Sequence, residues 1–125
     1  MIAELIIIFL IIILLLVVSH ELGHFLTAKW FGVRVDEFGL GIPPRVYSVR
    51  YGETLYSLNL LPFGGFVRIF GEEEDINNPR SFSAQSYLKK SLIVAAGVIS
   101  NILVAYLIFT SLVWIGSPEV GVIIQ

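Results

Sequence analysis

Ser91 to Ile115 runs for 25 residues without a charged side chain, and no other feature narrows the possible folds as much. A helix of that length spans a bilayer core of about 30 Å. A second run, Leu5 to Val18, is short for a span by itself. No proline interrupts it, however, so its helix is expected to continue to Phe31, with Gly32 as the stop. Leu5 to Ala28 would then cover roughly 36 Å. With 56% hydrophobic residues and a mean hydropathy of +0.85, the chain falls among membrane proteins. A cleavable signal peptide fits poorly: Glu4 stands where a basic segment belongs.

Charge placement sets a topology. All eight Lys and Arg residues lie from Lys29 to Lys90, between the two apolar runs. By the positive-inside rule, residues 32–90 are expected in the cytoplasm and both termini outside. A net charge of −2 without a basic stripe gives no sign of a nucleic-acid partner, and the absence of cysteine restricts any metal to nitrogen and oxygen ligands.

The chain has only two histidines, His20 and His24, and they bracket Glu21 in the sequence S-H-E-L-G-H (19–24). Positions i and i+4 share a helical face, so both imidazoles can reach one metal ion. Zinc suits two neutral imidazoles. Glu21 lies one residue off that face, placed to take a proton from a water on the metal rather than to ligate. The bland alternative is a pair of interfacial histidines in a helix. Against it, ionisable groups beside a fully apolar segment are costly, and are functional by default.

Between the spans the sequence turns β-like. Val35 to Ile42 is expected to be extended and to end at Pro43-Pro44. Arg45 to Tyr51 and Thr54 to Leu61 read as strands joined by Gly52-Glu53, glycine first as a type II′ turn prefers. Pro62 to Phe70, containing Gly64, Gly65 and Phe66, reads as a turn and a further strand. Glu72 to Asp75 reads as a solvated acidic loop, since a charge run is usually a wet surface. Ser81 to Lys90 is expected at the interface, leading into the second span. There Gly97, Asn101 and Ala105 share a face at the small-residue spacing that lets helices pack closely. Asn101 stands apart, because an amide inside a span needs partners and can be aimed at the site.

These residues resemble the site-two protease family of intramembrane zinc metalloproteases, most closely the bacterial regulator of sigma-E protease group. The resemblance rests on V-V-S-H-E-L-G-H-F-L-T-A-K (17–29), E-F-G-L-G-I-P-P-R (37–45), L-P-F-G-G-F-V-R-I-F-G-E (61–72) and A-A-G-V-I-S-N-I-L (95–103). It implies that His20 and His24 are zinc ligands and Glu21 the catalytic base. It also implies that the β element, including Gly64, Gly65 and Phe66, presents substrate as an added strand, and that Asn101 holds the unwound substrate. Val98 stands where the family often has proline. The family's third zinc ligand, an aspartate in a later transmembrane helix, is expected from the C-terminal remainder of a longer protein, of which this chain would be the N-terminal portion.

The expected fold is membrane α-helical: two transmembrane helices flanking a small membrane-associated cytoplasmic β element. Its parts are residues 1–31, a first span carrying the motif; 32–80, the β region and acidic loop; 81–90, an interfacial segment; 91–115, the second span; and 116–125, the first strand of a PDZ-like domain. The expected function is zinc-dependent endopeptidase cleavage of transmembrane segments, such as those of anti-sigma factors, in the bacterial inner membrane. Its partners would be a transmembrane protein substrate and the lipid bilayer. A catalytically incomplete membrane adaptor is the alternative. A metal transporter would call for further acids in the second span, and Ser91 to Ile115 has none.

Overall fold

The computed structural model describes residues 1–116; the expected PDZ-like strand falls almost wholly outside them. Four elements follow in order: α1 (Ile2–Trp30), β1 (Val35–Tyr51), β2 (Thr54–Ile69) and α2 (Tyr87–Ile115). Two long apolar helices thus flank an antiparallel hairpin. Both helices are long and apolar enough to cross a membrane. Leu5, Ile8 and Phe9 on α1, and Ile102, Tyr106 and Phe109 on α2, stand exposed.

Helix α1 stops where its sequence says it should. The N–H of Gly32 donates to the Lys29 carbonyl at 3.1 Å and that of Val33 to the Ala28 carbonyl at 2.9 Å. This is the Schellman pattern. Its companion apolar contact joins Ala28 and Val33, both fully buried in a cluster with Val35, Ile69 and Ile93. The small core therefore sits where the end of α1, the start of α2 and the base of the hairpin meet. Helix α2 begins four residues before the expected span, because the Ser86 side chain caps it by accepting from the Lys89 N–H at 3.3 Å. Lys89 and Lys90, expected before the span, are therefore already helical.

The hairpin differs from the expected set of separate strands. Gly52 has a φ of 62° and Tyr51 faces Thr54, as a type II′ turn requires. Yet β1 continues through Pro43-Pro44 and β2 through Pro62. Proline φ and the bias of the preceding residue suit extended backbone, so prolines bend a strand without ending it. Beyond the bend the pairing doubles. Glu37 to Leu40 pair with Arg68 to Gly65, and also with Leu55 to Leu58, whose numbers rise in step with theirs. Flanked on both edges, Glu37 to Leu40 are mostly buried, as are Val35 and Gly41 beside them.

Two polar clusters hold this sheet. The buried Glu37 carboxylate accepts from Ser57 Oγ at 2.7 Å, with Arg68 and Arg45 at 3.4 and 3.5 Å. At the hairpin tip, Arg80 grips both Glu53 oxygens at 2.6 Å and donates to the Gly32 carbonyl at 3.2 Å, while Lys29 Nζ lies 3.0 Å from Glu53. The turn is thereby tied to the end of α1. The Arg80 hydrogen bonds, then those of Lys29, lower the Glu53 carboxyl to about 2.

Candidate metal centre

The helical spacing read from the sequence brings His20 and His24 together: their Nε2 atoms are 3.0 Å apart, with rings edge to face. His24 Nδ1–H donates to the Ile93 carbonyl of α2 at 2.8 Å. A carbonyl only accepts, so Nδ1 carries the proton and Nε2 of the neutral ring keeps its lone pair for a ligand. Two nitrogens bonded to one tetrahedral zinc at about 2.0–2.1 Å would be separated by about 3.4 Å. The observed convergence lies within a few tenths of an ångström of that, so the pair fits such an ion. Among the described residues no third His, Asp, Glu or Cys joins it in a metal-binding group.

Close approach of α2 shapes the site. A Cβ added at Gly97 would lie 2.6 Å from His20 Cε1 and 2.7 Å from both Nε2 atoms. One at Gly23 would collide with the Ala96 carbonyl and Ser100 Oγ. Gly97 is therefore more than a packing residue, since its missing side chain leaves room for the imidazoles. The sequence showed only the small-residue spacing. Ala105, grouped with Gly97 by that spacing, is exposed.

Glu21 sits between two cavities. One of about 220 Å³ is lined by His20, Glu21, Gly64, Gly65 and Asn101, among others. The other, of about 350 Å³, includes Glu21, His24, Gly65, Phe66 and Glu72. Every site residue expected from the sequence thus borders one or both. At Gly65 an added Cβ would come within 3.1 Å of Val17 and 3.7 Å of the Glu21 side chain, so β2 passes directly beside that carboxylate. Asn101 Oδ1 is buried without a hydrogen-bond partner, which suits an acceptor waiting for a ligand.

Glu72 was missed. It had been grouped with a wet acidic loop, and the residue as a whole is exposed. Its carboxyl nevertheless borders the larger cavity. Burial pushes it up, and the neighbouring Glu73 adds to the rise. Only the tertiary turn from β2 through Gly71, where φ is 78°, brings it back to the site.

A histidine pair and a carboxylate on one helical turn, backed by a second apolar helix and edged by a strand, define the class as a metallopeptidase site of the H-E-x-x-H type. The model of peptidase family M50, the site-two protease family, matches residues 8–121, and the chain belongs to that family. It is 43% identical over 97 residues to a protein of Clostridium perfringens named as a candidate zinc metalloprotease, covering 78% of this chain and 29% of the relative. A similarly named protein of Clostridium acetobutylicum is 38% identical, covering 83% of this chain and 31% of its own length. Zinc metalloprotease RasP of Geobacillus kaustophilus is 47% identical over 72 residues, covering 58% and 17%. The chain spans less than a third of the length of these relatives.

Proposed function

We propose that the whole protein is a zinc-dependent intramembrane endopeptidase that cleaves transmembrane segments of membrane proteins, and that this chain carries the catalytic base and two of three metal ligands. The single observation that carries the reading is the convergence of the two Nε2 atoms beside Glu21, at a point open to cavities on either side. When bound, the metal supplies Lewis acidity to a peptide carbonyl. His20 and His24 hold it through Nε2, and the Ile93 carbonyl keeps the His24 tautomer. Glu21 takes a proton from the attacking water and returns it to the departing amine nitrogen. Gly64 to Phe66 offer backbone to an extended substrate, and Asn101 accepts from its unwound backbone. The third ligand, an aspartate, comes from the remainder of the protein. The spans lie in the bacterial plasma membrane, with 32–90 cytoplasmic and both ends outside.

The test uses the full-length protein. Glu21→Gln is expected to keep zinc and lose cleavage, because an amide cannot act as the base. His24→Ala is expected to lose both. Cleavage by Glu21→Gln would remove the assigned role. Absence of stoichiometric zinc from the wild-type protein would favour the adaptor instead.

A further inference from the structure

The larger cavity holds more than the Glu21 reaction requires. Beside Glu21 and His24 its lining includes Phe66, Val67, Ile69, Phe82 and Ile93, with Glu72 as a second carboxylate. Glu72 also borders an adjoining depression of about 290 Å³ that shares Phe66, Val67 and Ile69 and adds Glu73. Neither lining includes a lysine, and the one arginine, Arg68, turns toward Glu37 at 3.4 Å. No ion pair among the described residues engages Glu72.

A cavity with apolar and aromatic walls and a second carboxylate, Glu72, beside the site suits a side chain with an aliphatic stem and a cationic head. Lysine and arginine have that form: the methylenes line apolar surface while the charge stays near water. Aromatic walls add to the fit. Arg68 at 5.9 Å from the Phe66 ring centre and Lys90 at 6.0 Å from that of Phe82 already attend those rings, so the selection falls on the Glu72 carboxylate.

We infer that this cavity is a substrate subsite that takes a lysine or arginine side chain, with Glu72 as the specificity-determining residue. The inference deepens the protease reading and rests on it. A membrane segment carries its basic residues at the cytoplasmic flank. A site at the cytoplasmic end of α1 therefore meets such residues when a span is drawn in. Glu72 would select the flank and with it the register of the cut.

The experiment uses full-length protein in liposomes and a transmembrane substrate that the wild-type protein cleaves. Lys, Leu or Glu is placed singly at each of the three positions on the cytoplasmic side of the cleaved bond. At one position, the kcat/KM ratio of Lys to Leu is expected to be about 10. Glu72→Gln should bring that ratio towards 1, and Glu72→Lys should make Glu the favoured residue. Zinc content, read in parallel, should match wild type in both variants. Absence of a Lys preference at all three positions, or a ratio unchanged in both variants, overturns the subsite and leaves the protease reading standing. A zinc-loaded wild-type protein that cleaves no transmembrane substrate overturns both.

Discussion

Gly97→Ala is the sharpest perturbation the site offers. The added methyl would stand 2.6–2.7 Å from His20 Cε1 and both Nε2 atoms, against an ordinary carbon contact of about 3.5 Å. Something must yield by roughly 0.8 Å, several times the tolerance of about 0.2 Å on a metal–ligand distance. Parting the helices to make room would give up the close packing of Gly23 against the Ala96 carbonyl. The imidazoles must turn instead, and for His24 that strains the 2.8 Å bond to Ile93. Overpacking of this kind costs about 1–3 kcal/mol. If the strain falls on the metal-bound state, zinc affinity drops about 5- to 150-fold. The assay is competition with a graded chelator on full-length protein, with Ala105→Val as the control on the exposed part of the same helix. Wild-type zinc affinity in Gly97→Ala would refute the reasoning, because the imidazoles would then not depend on the space Gly97 leaves.

Asn101→Leu is expected to be at least as stable as wild type, because the buried Oδ1 has no partner to lose, yet turnover should fall about 100-fold if the amide positions substrate; near-normal rates of full-length protein would return Asn101 to a packing role. A cysteine at Asn77 should resist an impermeant label in intact cells while one at Ile2 reacts, and the reverse pattern would defeat the topology. Glu53 is lowered to about 2 in the folded protein, so its contribution to stability is present above the usual carboxylate pKa of about 4.3 and fades as pH falls towards 2. Glu53→Gln should therefore lower the melting temperature at pH 7 only slightly, because solvent screens an exposed pair. The difference from wild type should vanish near pH 2; a constant difference across that range would exclude the Glu53–Arg80 pair as its source.

Much of this architecture was legible because membrane segments advertise themselves in one dimension. Ser91 to Ile115 and the run into His20 needed only length and charge, and His20, Glu21 and His24 needed only the helical period. The II′ turn at Gly52 was equally local. What escaped was set by contacts between distant segments. No local signal tells that Glu37 to Leu40 are flanked on both edges, since strand pairing is chosen by tertiary packing. The same holds for Gly97, whose spacing indicated a close neighbour but not that the neighbour is an imidazole pair. Glu72 was hidden by its company, because three further acids in succession make a solvated loop the natural reading. The start of α2 was misjudged for a smaller reason: two lysines outweighed a serine cap.

The bond from His24 to the Ile93 carbonyl joins residues 69 positions apart, and this gives the centre a history. At about 5–20 residues per second, α1 emerges from the ribosome roughly 3–14 s before the carbonyl that orients its second imidazole. During that interval the His24 ring can flip and exchange its proton between nitrogens. The orientation of His24 is therefore fixed late, by the pairing of the two helices rather than by insertion of the first. A nascent chain stalled before residue 93 would carry the whole H-E-x-x-H sequence and still lack the carbonyl that orients its second imidazole.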